Sequence, residues 1–239
     1  MSEKNPTRRG DAVAPQGEVR DEVAAFVKKV GQLARPNADE DGRLLFAMDA
    51  TMSRQPTWDM AMSLQAGMFQ AIPKDSALQV QLIYFRGLGE CRASKWVLDA
   101  AALARLMSTI ACQGGNTQIG KVLAHARDEH RKRRIHAVVY VGDAIEESVD
   151  ALCAKAGELG LMGLPLFVFQ EGRDSRVEAA FREFARLSKG AYARFDSSAP
   201  QQLADLLKAV AAYASGGRAH LKLQSSGAAR ALLTQIEGR

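Results

Sequence analysis

Apolar positions along this chain recur at two spacings, and the change from one to the other marks where elements begin and end. From Glu18 the spacing is helical: Val19, Val23, Phe26, Val27 and Val30 form one stripe at steps of three and four. Arg35-Pro36-Asn37 ends that helix, because a residue before proline avoids the α region. Short apolar runs then alternate with amphipathic stretches. Residues 44–48 read as a buried strand and 58–72 as a helix. Residues 78–85 and 91–97 read as two strands joined by the glycine-rich segment 86–90, which suits an antiparallel hairpin. Helices follow over 99–110 and from Thr117 to about Arg131. Apolar, β-branched residues 135–141 read as a central strand. Beyond them lie a helix with Val149, Leu152, Cys153 and Ala156 as its stripe, and a strand over 164–169. A helix carrying Val177, Ala180, Phe181 and Phe184 comes next, then a short strand over 191–195. The last core helix is marked by Leu203, Leu206, Leu207 and Val210.

Strands alternating with helices of this length need crossover connections, which build a mostly parallel sheet covered on both faces. That α/β domain is expected over residues 43–215. Residues 1–17 mix Pro, Gly, Asn and charges without periodicity and are expected to form a disordered tail. Residues 18–42 carry the N-terminal helix and an acidic linker. From Gly216-Gly217 the pattern weakens into an extension over 216–239, with a short docked helix at 228–236.

Composition narrows the function classes. At 47% hydrophobic residues the chain has enough apolar content for a folded domain, which excludes wholesale disorder. A net charge of +5, scattered along 239 residues, does not point to nucleic acid. The densest charge run, Arg127 to Arg134, closes a helix, where cations suit the negative end of the dipole, and reads as a solvated face. No apolar run approaches the roughly 18 residues that a membrane span requires. The N-terminus has no apolar stretch after its basic residues, so it does not read as a secretory signal. A cytoplasmic protein without a membrane or nucleic-acid partner is expected. Cys91, Cys112 and Cys153 lie far apart with no CxxC pair and read as reduced, buried thiols. Met48, Met52, Met60, Met62 and Met68 read as core filling, and Trp58 and Trp96 as core or edge anchors.

In open α/β sheets, sites form beyond the carboxyl ends of the strands. After the first strand comes Asp49-Ala50-Thr51-Met52-Ser53, one carboxylate and two hydroxyls at alternating positions, so that a short loop can turn all three to one point. After strand 135–141 comes Gly142-Asp143, a second carboxylate. Between them in sequence lies Gln113-Gly114-Gly115-Asn116-Thr117, a glycine-rich loop that ends in a hydroxyl at a helix start. Two carboxylates and three hydroxyls are hard oxygen donors, suited to Mg²⁺ or Mn²⁺ and poorly suited to zinc or copper. Each residue taken alone also fits a helix cap or a turn.

The set Asp49-x-Thr51-x-Ser53, then Thr117, then Asp143 resembles the metal-ion-dependent adhesion site of von Willebrand factor type A domains. The resemblance spans residues 43–215 and keeps the order of the three motifs. It implies a three-layer, Rossmann-like fold with about six strands, in which the hairpin supplies one antiparallel edge strand. It further implies that Thr51, Ser53 and Thr117 contact the metal directly, while Asp49 and Asp143 act chiefly through metal-bound water. Two positions depart from the pattern: Thr51 stands where serine is usual, and Ala144 follows Asp143 where glycine is common. Neither removes a ligand oxygen. The implied activity is binding rather than catalysis, with a protein partner donating an Asp or Glu carboxylate to the ion. Intracellular members of the family often work in multiprotein complexes, some beside ring-forming ATPases.

Two rival readings use the same residues. The segment from Gly115 to Val122 nearly matches a phosphate-binding loop, with Lys121 as its lysine, but Val122 stands where a hydroxyl must hold Mg²⁺. A metal-dependent hydrolase or phosphotransferase would use Asp49 as nucleophile, yet Thr51 occupies the position where many such enzymes place a general acid. No GxSxG elbow surrounds Ser53, and His125, His130, His136 and His220 read as surface or helix-end residues.

Overall fold

The computed structural model describes residues 41–72, 77–196 and 200–238. The expected tail over 1–17 and the helix over 19–30 lie outside the described residues.

Six strands form one sheet in the order β3-β2-β1-β4-β5-β6. Strand β1 (Gly42–Asp49) lies inside it, parallel to β2 (Leu78–Arg86) on one side and to β4 (Ala137–Gly142) on the other. Strands β5 (Leu166–Glu171) and β6 (Ala191–Phe195) continue in parallel, and β3 (Glu90–Val97) pairs antiparallel with β2 at the opposite edge. Central strands face protein on both sides, which is why β1 and β4 read as continuous apolar runs and are buried throughout.

The strand period of two sorts these side chains into two cores. Leu44, Phe46 and Met48 of β1 face one side, with Val139 and Val141 of β4. That side is covered by α1 (Gln55–Leu64), α2 (Ala66–Gln70), α3 (Ala100–Ser108), α7 (Pro200–Leu223) and α8 (Gly227–Glu237). Leu45 and Ala47 face the other side with Val138 and Tyr140, under α4 (Ile119–Lys132), α5 (Val149–Leu161) and α6 (Ser175–Leu187). The three-layer, mostly parallel architecture with one antiparallel edge strand is the one the sequence predicts.

Several details differ from the sequence pattern. The helix expected over 58–72 is two helices that begin earlier, at Gln55, with Pro56 in the first turn, where its missing N–H costs nothing. They divide at buried Gln65, whose side-chain amide donates to the Ala100 carbonyl at 3.0 Å, while the Met68 N–H reaches back only three residues to the Gln65 carbonyl. Of the five methionines, Met48 and Met68 are buried, but Met52 is 62% exposed and is not core. The apolar core also does not stop at Ser215. Helix α7 passes through a turn at Gly216 and Gly217, where Gly217 adopts a φ of 64°, and carries Leu221 into the same core as Ala229, Leu232 and Ile236 of α8.

Candidate metal centre

Strand order reverses direction at β1, with β2 on one side and β4 on the other, so the crevice beyond their carboxyl ends is a topological switch point. A cavity of about 240 Å³ opens there, lined by Asp49, Thr51, Ser53, Thr117 and Asp143 together with Glu146. All five residues singled out from the sequence therefore meet at one place. Among the described residues no cluster of three or more His, Cys, Asp or Glu is arranged to hold a metal, and this cavity instead sets the Asp49, Asp143 and Glu146 carboxylates among hydroxyls.

Each donor is set by its own local structure. Asp49 is the last residue of β1, 3% exposed, and its Oδ1 accepts the Thr51 N–H at 2.7 Å. That bond bends the chain back over the strand end. Ala50 is clamped from both sides, its N–H donating to Phe85 at 3.0 Å and its carbonyl accepting from Gln113 at 2.9 Å. The same contacts bring the 113–117 loop against the 49–53 loop. Gly115 completes this joint, because a Cβ there would overlap the backbone of Gly87, and the next residue, Asn116, donates to the Gly87 carbonyl at 3.1 Å. Thr51 and Thr117 are buried, Asp143 is half-buried and Ser53 stands exposed at the rim.

Thr117 does not cap its own helix, which begins at Ile119. Its hydroxyl accepts the Glu146 N–H at 3.0 Å, and its own N–H donates to the Glu146 carboxylate at 2.7 Å. Glu147 then takes the first amides of α4, accepting from Ile119 at 2.5 Å and Gly120 at 2.9 Å. The loop after β4 is thus fastened to the α4 end by two consecutive glutamates. This occupancy bears on the phosphate-loop reading. The helix amides that would cradle a phosphate already hold a carboxylate, and Lys121 Nζ donates to Gly89 and Gln118, each at 2.8 Å.

Arg54 was not singled out by sequence. It is 4% exposed, and its guanidinium pairs with Asp143 at 2.9 Å, with Glu171 at the end of β5, and with the Thr57 hydroxyl at 2.8 Å. Thr57 in turn donates to Glu171. The buried guanidinium is matched by two carboxylates and a hydroxyl, as a buried charge needs, and the pairing orients the Asp143 carboxylate. Asp49 carries the electrostatic cost of the site. Burial raises its pKa above the usual carboxylate value, hydrogen bonds from the Thr51 amide and hydroxyl pull it down, Asp143 pushes it up and Arg54 lowers it. Burial disfavours this charge, and a cation bound beside it would relieve that cost.

The donor set fits a divalent cation on chemistry alone. The Asp49, Thr51, Ser53, Thr117 and Asp143 side chains all present oxygen to one cavity, the ligand class of hard ions. No family model and no curated protein matches the sequence. Solved structures do. The chain is similar to a von Willebrand factor type A protein from Catenulispora acidiphila at 14% identity and a TM-score of 0.58, over 73% of this chain and 43% of that one. The chain has the von Willebrand factor type A fold. Another such neighbour is proximal thread matrix protein 1 from the mussel byssus, solved with zinc in its metal-ion-dependent adhesion site. It shares 13% identity and a TM-score of 0.58, over 80% of this chain and 52% of that one. An aerotolerance-related membrane protein from Bacteroides fragilis is similar at 20% identity and a TM-score of 0.52, over 66% of this chain and 94% of that one. The chain thus spans about half the length of the first two of these neighbours and nearly all of the third.

Outside the centre, three histidines are held by neighbouring groups. His125 meets Gln81 at 3.0 Å, His130 accepts the Ile135 N–H at 3.1 Å and His136 accepts the Arg43 N–H at 3.0 Å. The charge run of α4 is paired with acids, Arg127 with Asp128 and Glu158 and Lys132 with Glu129. The three cysteines are free, and burial pushes the Cys112 thiol up to about 11. Among the described residues no helix is long and apolar enough to cross a membrane.

Proposed function

We propose that this chain is a metal-dependent protein-interaction module. Its centre holds Mg²⁺ or Mn²⁺ and captures an Asp or Glu carboxylate of a protein partner. One observation carries the reading: five oxygen-bearing side chains from three distant loops line a single cavity at the switch point of the sheet. Thr51, Ser53 and Thr117 supply hydroxyl oxygens, and Asp49 and Asp143 supply the charge that draws the cation in. The ion, when bound, supplies a Lewis-acidic position for an external carboxylate. Arg54 keeps Asp143 oriented, and Glu146 and Glu147 keep the 143–148 loop against Thr117. The zinc-occupied site of the byssus protein supports a metal at this place in the fold.

The module acts by binding and not by turnover, in the cytoplasm and within a multiprotein complex of the kind that includes ring-forming ATPases. Nothing about it calls for nucleic acid or a membrane. Calorimetric titration with Mn²⁺ tests the centre directly. Native protein binds one equivalent, and Asp49→Ala binds none. Affinity capture from the source cell then retains a partner that both EDTA and Asp49→Ala release, and purified protein neither hydrolyses phosphate esters nor binds ATP. Native protein that takes up no Mn²⁺, or a partner retained in EDTA, defeats the reading.

A further inference from the structure

Tyr140 stands in the middle of β4, 1% exposed, and its hydroxyl makes no hydrogen bond to any described protein atom. The ring itself is well packed, stacked on Phe85 with centroids 6.3 Å apart and edge-on to Phe181 at 5.6 Å. Phenylalanine would fill the same space without burying a polar group, and an unpaired buried hydroxyl destabilises a fold. The direction of the hydroxyl shows where a partner would be. A Cβ built on Gly142 would stand 2.5 Å from the Tyr140 oxygen, so the side chain leans along the strand toward its carboxyl end. Gly142 precedes Asp143. Because Ala47 pairs with Tyr140 and Met48 with Val141, the register brings Asp49 alongside Gly142. The unpartnered oxygen therefore lies, closed to solvent, beside the strand ends that carry both carboxylates and behind the residues that line the metal cavity.

Burial first, and then the charges of Asp49, Asp143 and Glu147, hold the phenol pKa well above its usual value. The group is an O–H donor at every physiological pH, aimed at a region of acceptors. We propose that Tyr140 is a positioning residue of the metal centre, whose hydroxyl donates to the Asp49 carboxylate from behind when the centre is loaded. Glycine at 142 leaves room for the hydroxyl itself, since any Cβ there would meet it. Outer partners of this kind orient the groups that touch a metal and raise its affinity. The inference rests on the metal-binding reading above.

Tyr140→Phe in the full chain tests it. Mn²⁺ affinity, read by calorimetry, falls about tenfold or more, while the melting temperature in EDTA holds or rises because an unsatisfied hydroxyl is gone. A tyrosine with a merely structural role gives the reverse pattern, lower melting in EDTA and unchanged affinity. A second readout needs no variant at this position. In protein labelled with carbon-13 at tyrosine Cζ, the Tyr140 resonance, assigned by Phe substitution at Tyr84, Tyr192 and Tyr213, shifts when Mg²⁺ is added and stays put in Asp49→Ala. Native binding of Mn²⁺ with a Tyr140→Phe affinity within twofold, or an unmoved resonance, overturns this inference and leaves the metal centre standing. Native protein that binds no Mn²⁺ overturns both.

Discussion

Burial raises the Asp49 pKa ahead of the opposing pull from Thr51, and this sets a sign for how the residue affects the metal-free fold. A carboxyl whose folded pKa exceeds its unfolded one holds its proton more tightly when folded. Its stabilising contribution is fully present below the unfolded pKa and is lost as the pH rises through the folded one. At neutral pH the Asp49 charge is therefore a burden that the cation relieves. Asn at this position keeps the shape, still accepts the Thr51 amide and sheds the charge. Asp49→Asn is expected to melt about 2–4 °C higher than native protein in EDTA, and to lose the Mn²⁺-induced rise that native protein shows. A lower melting temperature in EDTA would mean that the bonds from Thr51 outweigh burial. Protons and metal compete for the same carboxylate, so Mn²⁺ affinity falls as the pH is lowered from 7.5 toward 5.

At the scale of the element, the centre is a set of loops locked to one another, and Gly115 is the joint between two of them. Its missing side chain lets the 113–117 loop lie on the Gly87 backbone, and Thr117 follows two residues later. Gly115→Ala is expected to cost about 1–3 kcal/mol in urea unfolding, as overpacking does, and to weaken Mn²⁺ binding by displacing Thr117. Gly114→Ala is the control for stability, because nothing lies within 4 Å of its Cβ position, and it should change unfolding by less than about 0.5 kcal/mol. Equal effects at the two glycines would refute the joint. What the sequence reveals of this site follows the same division. Asp49, Thr51 and Ser53 are legible because their spacing is local, and Thr117 and Asp143 because each sits at the end of an element that periodicity predicts. Arg54, Glu146, Glu147 and Glu171 are not, since their roles depend on which loops become neighbours once β4 lies between β1 and β5. Glu171 ends β5, next to the strand that precedes Asp143, but the apolar run that marks this strand in the sequence stops at Phe169. Tyr140 was hidden differently, because a tyrosine within an apolar run reads as core and its polar atom leaves no mark on the pattern. The apolar spacing over 58–72 carries no sign of the break at Gln65, where the side chain is buried and bonds to Ala100.

A sheet of this topology ends in open edges, and the chain closes one of them with its last helix. The edge strand β6 presents the Tyr192 N–H and carbonyl away from β5, where another strand could pair. Gln235 of α8 answers both, its side-chain oxygen accepting from Tyr192 at 2.8 Å and its amide donating to the Tyr192 carbonyl at 2.7 Å. One side chain thus imitates the neighbouring strand at that position. Leu232 and Ile236 anchor the same helix in the core that underlies β1, so the segment past Ser215 both shields the sheet and contributes to its packing. Gln235→Ala leaves the anchors intact and removes only the two bonds. It is expected to lower the unfolding free energy by about 1–2 kcal/mol, the worth of two ordinary hydrogen bonds. Its larger effect should be on association, because an uncovered strand edge templates pairing between chains. Light scattering during slow heating should rise earlier than in native protein, and earlier than in a surface control such as Gln201→Ala. Equal scattering in both variants would show that α8 packs against the edge without protecting it.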